Sequence, residues 1–131
     1  MKIIFLLFLF LLTSSTATDS TAQNRQRYDP CSGSTTQDIN ECAKREYDKA
    51  DAELNKVYRE LISKVKDVRL KNKLIAAQRT WIKFRDESCN FVYEFHKEGT
   101  MRTVMLLGCL TMTTENRTKE LRIIMKEAFE G

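Results

Sequence analysis

Residues 74–89 read LIAAQRTWIKFRDESC, and the spacing within this stretch decides the fold. Leu74, Ala77, Trp81, Phe84 and Ser88 or Cys89 recur every three or four positions, so a helix gathers them on one apolar face, flanked by Gln78, Arg85 and Asp86. No Gly or Pro interrupts the run. The predicted helix spans about residues 70–95. The charged, weakly periodic segment 67–73 marks the turn before it, and residues 96–100, which include Gly99, mark the turn after it.

Upstream, Ser34 precedes Gln37 and Thr35 precedes Asp38 by the three-residue interval of a capping box. From there to about Val68 the chain has no Gly or Pro. Ile39, Ala43, Tyr47, Ala50, Leu54, Leu61, Val65 and Val68, with Val57 or Tyr58, form a seam near heptad spacing, which predicts one long helix. Downstream, a third helix is expected over residues 101–129. Gly108 and the threonines of 111–114 lower its propensity and leave room for a break near Thr113. Met101, Met105, Met112 and Met125 recur at helical spacing and read as core fillers. Short turns between consecutive helices give an all-α, up-down-up three-helix bundle with long helices.

Antiparallel register about a turn near Val68 sets Asp51 opposite Arg85, Asn55 opposite Trp81 and Tyr58 opposite Gln78. The expectation is a partly buried Asp51–Arg85 ion pair, with Asn55, Tyr58 and Gln78 hydrogen-bonded between helices and Trp81 plugging the gap. Such groups fix register inside bundles more often than they catalyse.

Met1-Lys2, the ten apolar residues 3–12 and the small, hydroxyl-rich stretch 13–22 have the layout of a secretory signal peptide, with cleavage after Ala17 or Ala22. The apolar run is about half of the roughly 20 residues a bilayer span requires. The layout predicts an exported protein, periplasmic or secreted and soluble once residues 1–22 are removed. Residues 23–35 then form an irregular lead and 36–131 the helical domain.

Four cysteines, Cys31, Cys42, Cys89 and Cys109, lie in the predicted mature chain. An even number in an exported domain this small reads as two disulfides. Three connectivities are open. Reach along the bundle favours Cys42 with Cys89 and Cys31 with Cys109. The spacings fit no zinc pattern, and the one His, His96, is at no ligand interval from a Cys, so no metal or other cofactor is expected. There is no phosphate-binding Gly loop and no Gly-x-Ser-x-Gly turn, and only that single His could serve as a base. The chain reads as a non-enzyme with no catalytic residues.

The formal net charge is +4. Residues 61–80 carry six bases against one acid, whereas residues 36–60 and 81–100 are net acidic. In the bundle this predicts a basic turn at one pole and Asp38, Glu41, Glu94 and Glu98 at the other. The basic stretch lacks interleaved aromatics, so nucleic acid is not the expected partner.

Ala50-Asp51-Ala52-Glu53-Leu54-Asn55 with Tyr58, then Ala77-Gln78-Arg79-Thr80-Trp81 leading to Phe84-Arg85-Asp86 and Cys89, resembles the LprI-type lysozyme inhibitor domain family. Cys109, the run Thr113-Thr114-Glu115-Asn116-Arg117 and Leu121 resemble its closing segment. The resemblance covers about residues 31–121. It implies a small exported bacterial helical protein whose partner is a cell-wall-degrading lysozyme, bound and blocked at its substrate cleft. The member that names the family is a lipoprotein. This chain has no Cys directly after its apolar run, so anchoring does not carry over. The resemblance assigns no inhibitory contact residues. The alternative is a non-catalytic envelope module that binds another protein or an anionic polymer through the basic region from Lys64 to Arg79, with Lys66, Arg69 and Lys71 at its centre. Oligomeric state is left open.

Overall fold

A computed structural model describes residues 29–129. The predicted signal peptide and most of the irregular lead lie outside the described residues. A single 3-10 turn, Pro30–Ser32, is followed by α1 (Thr36–Lys64), α2 (Val68–Phe95) and α3 (Arg102–Phe129). The architecture is the up-down-up bundle: α1 and α3 run parallel, with α2 antiparallel to both. Residues near Thr36 meet Thr103 and Leu107 at one pole, and Leu61 and Leu74 meet Ile124 and Phe129 at the other.

Each start has a local cause. Thr35 Oγ1 accepts from Asp38 N while Asp38 Oδ2 accepts from Thr35 N, so the capping box forms at the second of the two candidate positions. The α1–α2 turn is only Val65, Lys66 and Asp67, shorter than the segment 67–73 suggests, because Asp67 caps α2 by accepting from Leu70 N. Helix α3 is unbroken. The threonine hydroxyls that threaten it bond back into the helix, Thr111 to Leu107 O and Thr118 to Thr114 O.

The core lies between α1 and α3. Leu54, Val57 and Leu61 close on Leu121 and Met125, with Tyr58, Leu74 and Trp81 packed against them. The α1–α3 packing is the most extensive of the helix pairs, and α2 leans chiefly on α3. This division corrects two expectations. The inward side of α2 is Gln78, Arg85 and Cys89, not the face centred on Ala77 and Phe84: Ala77 is exposed and Phe84 is 61% exposed. The apolar period is real, but its phase follows the polar residues that have partners on α1 and α3. Of the methionines expected to fill the core, only Met125 does so. Met105 and Met112 lie on the outside of α3 because Thr114, Thr118 and Leu121 take the inward positions, and Met101 is exposed in the turn just before it.

The disulfides are Cys31–Cys42 and Cys89–Cys109, which corrects the expected Cys42–Cys89 and Cys31–Cys109 pairing. The 3-10 turn folds back on the start of α1, held by an Asp29–Arg45 ion pair, and puts Cys31 within 4.8 Å (Cα–Cα) of Cys42. Cys89 is fully buried on the side of α2 that meets α3, so Cys109 is its neighbour. No described helix is long and apolar enough to cross a membrane.

Candidate functional site

Arg85 is the centre of a polar cluster joining all three helices, its side chain only 9% exposed. Its Nη1 donates to Asp51 Oδ1 on α1 and to Thr114 Oγ1 on α3, each at 3.4 Å, and its Nε donates to Asp86 Oδ1 at 2.9 Å. The guanidinium carbon also stands 5.8 Å from the Tyr47 ring centroid and 5.3 Å from that of Trp81. A buried cation needs this many acceptors and π faces to offset its lost hydration.

A second guanidinium completes the cluster. Arg117 on α3 donates to Gln78 Oε1 at 3.1 Å and pairs with Glu120, and its guanidinium carbon lies 5.8 Å from the Trp81 ring centroid. Trp81 thus has two cations near its ring system, and its indole is half-buried against the core. Gln78 is satisfied by α3, not by Tyr58 as the register suggests. Asn55 is exposed and donates to Asp51 within its own helix, so it does not bridge helices. Leu54 belongs to the apolar core, and Tyr58 lies beside it.

Sequence reasoning missed Tyr47 as a member of the cluster, and it missed Thr114, Arg117 and Thr118. The signal for the last three was their i, i+3 and i+4 spacing within 113–118, masked by the low helix propensity of threonine. Tyr47 stands among like and unlike charges, but burial is the larger effect and pushes its phenol above the ordinary 10.0.

The cluster offers little chemistry. The two guanidinium groups are engaged by Asp51, Asp86, Thr114, Gln78 and Glu120, and the Tyr47 phenol is held in its protonated form by burial. Among the described residues, no group of three or more His, Cys, Asp or Glu side chains is placed to hold a metal.

Two grooves lie along the α1–α3 seam, and Tyr47 borders the first of them. An open groove of about 650 Å³ runs between the start of α1 and the start of α3, lined in part by Asn40, Glu41, Lys44, Tyr47, Asp48 and Leu107; Lys44 pairs with Asp48, which leaves Glu41 as its unmatched charge. Asn40 Oδ1 is shielded from solvent and has no hydrogen-bond partner among the described residues. Glu41 takes an amide hydrogen from Gln37, and no cation among the described residues lies within ion-pair distance of it. Glu94 and Glu98 are exposed at the same pole, whereas Asp38 is committed to the capping box. A second groove of about 460 Å³, farther along α1 and α3, has most of its charges matched through Lys49–Glu46 and Arg122–Glu53, and its remaining two, Glu115 and Lys119, are of opposite sign.

The family model for the lysozyme inhibitor LprI matches residues 29–121, which takes in both disulfides, the Arg85 cluster and the core. The chain belongs to the LprI lysozyme inhibitor family. Among its relatives, the uncharacterized protein R02472 of Rhizobium meliloti (strain 1021) is 35% identical over 119 residues, covering 80% of this chain and 86% of that protein. The uncharacterized protein YecT of Escherichia coli (strain K12) is 27% identical over 99 residues, covering 65% of this chain and 61% of YecT. No solved structure matches. Within this LprI domain, the motif residues Gln78, Trp81 and Arg85 of α2 meet Asp51 on α1 and Thr114 and Arg117 on α3, while Glu41, Glu94 and Glu98 are exposed at the pole that carries the disulfides.

Proposed function

We propose that the exported, oxidised protein binds and blocks a cell-wall-degrading lysozyme, using the acidic pole and its groove as the contact surface. The observation that carries this reading is the family match over nearly the whole described chain. The net charge of +4 gives no long-range attraction to a basic lysozyme, so a local acidic surface is required. Glu41, Glu94 and Glu98 supply one.

The test is peptidoglycan lysis by several lysozymes with and without the mature protein. Inhibition by the native protein, weakened by Glu41→Gln, Glu94→Gln and Glu98→Gln together, supports the reading. Lysis that is unchanged at micromolar excess rejects it.

A second reading rests on the opposite pole. Lys64, Lys66, Arg69, Lys71 and Lys73 surround the α1–α2 turn, and the one acid within residues 64–73, Asp67, is occupied in capping α2. Such a surface suits an anionic envelope polymer. Its test is salt-sensitive retention on that polymer, lost when Lys66, Arg69 and Lys71 are reversed in charge.

A further inference from the structure

Helix α2 has an outward face with no role in the bundle. Leu70, Ala77, Phe84 and Phe91 follow one another at intervals of seven, so they drift only about 20° per step around the helix. Phe95 extends the stripe, its ring centroid 6.1 Å from that of Phe91. All are exposed: Leu70 by 47%, Phe84 by 61%, Phe91 by 68% and Phe95 by 74%. Three exposed phenylalanines on one face of one helix are more than the scattered apolar exposure of an ordinary surface.

Charge says what covers it. The first half of α2, residues 68–83, carries Arg69, Lys71, Lys73, Arg79 and Lys83 and no acid. In the second half, Arg85 is buried in the polar cluster and the exposed charges are Asp86, Glu87 and Glu94. A helix that is basic at one end and acidic at the other is complementary to a second copy of itself running the opposite way. We propose that the protein self-associates through this stripe as a two-fold, antiparallel α2–α2 dimer.

The register follows from the side chains. With the axis at Phe84, that ring meets its own symmetry mate, and Phe91 packs over the small Ala77 of the partner subunit. In an antiparallel pair, like flanks of the two helices meet. On one flank this sets Lys73 beside the partner's Glu94, and Glu94 beside the partner's Lys73. Parallel pairing would bring basic half against basic half. None of the residues lining the acidic groove lies on α2, so both copies keep that groove open. Glu94 alone belongs to both readings, so the dimer is judged by Phe91→Asp and Lys73→Glu, at residues outside the acidic surface.

The test is sedimentation equilibrium of the mature, oxidised protein over the micromolar range. A dimer is expected, and Phe91→Asp, at a site already open to water, should give a folded monomer by circular dichroism. Lys73→Glu should weaken association about tenfold or more, because it replaces two attractions with two repulsions, and Lys73→Glu with Glu94→Lys should restore it. A monomer at every concentration overturns the proposal, and a concurrent loss of lysozyme binding in Phe91→Asp would assign the stripe to lysozyme instead. A dimer indifferent to Phe91→Asp and to the charge exchange also overturns it, since the interface then lies elsewhere.

Discussion

Arg85 on α2 and Asp51 on α1 meet across the bundle with 3.4 Å between Nη1 and Oδ1, the arginine side chain 9% exposed and the aspartate 39%. The asymmetry in burial decides which partner matters more. Asp51 can turn to water if its cation is lost. Arg85 cannot, and its removal also strands Thr114 and exposes Asp51 and Asp86 to mutual repulsion.

Arg85→Ala should therefore destabilise the protein by about 2–4 kcal/mol, somewhat below the cost of breaking a fully buried pair because Asp51 and Asp86 stay partly solvated. Asp51→Asn should lose about 1 kcal/mol, because its carboxylate is partly solvated. Urea unfolding of both single variants and the double variant checks this. The double should fall short of the sum if the two residues act as one unit.

Leu121→Ala should lose about 3 kcal/mol, since Leu121 is fully buried among Leu54, Val57, Leu61 and Met125. Ile123→Ala, two residues away and 56% exposed, should change stability by less than about 1 kcal/mol. The same denaturation measurement separates them.

How far these contacts could be read from the chain depends on which interactions set each helix's orientation. The capping box at Thr35, the long Gly-free runs and the Asp51–Arg85 register were legible, because caps and helical spacing are local and the turn is short. The phase of α2 was not. Hydrophobicity alone points Phe84 inward, but Arg85, Gln78 and Cys89 have partners on α3 that outweigh it. The disulfides were misread for a related reason: reach along the bundle permits several pairings, and the fold-back anchored by Asp29 and Arg45 cannot be inferred from helical periodicity. Tyr47 and Arg117 were invisible as cluster members until α3 was placed beside Trp81.

The two disulfides should open in sequence. Cys31 is exposed whereas Cys89 is fully buried, so mild reductant followed by alkylation and peptide mapping should label Cys31 and Cys42 first. Replacing Cys89 and Cys109 by Ala should lose about 3 kcal/mol, because that bond closes the loop that joins α2 to α3.

Alkaline pH should weaken the fold through Tyr47. Its folded pKa is raised above 10.0 by burial, so its contribution is fully present below about pH 10 and is lost as pH rises through the folded value. Phenolate absorbance should show a titration step above the ordinary 10.0, and Tyr47→Phe should remove it. Asp29 behaves in the opposite sense. The hydrogen bond from Arg45, then that from Cys31 N–H, hold its carboxyl below 3.8, so the tie between the 3-10 turn and α1 loosens only in acid.

The account holds that the polar motif is internal and that recognition belongs to the acidic pole. The most direct measurement is lysozyme inhibition by two folded variants, Asp51→Asn in the interior and the Glu41, Glu94, Glu98→Gln triple at the pole, each compared with the native protein. The account predicts that the native protein and Asp51→Asn slow peptidoglycan lysis alike while the triple variant does not. Full inhibition by the triple variant, or none by the native protein, would contradict it.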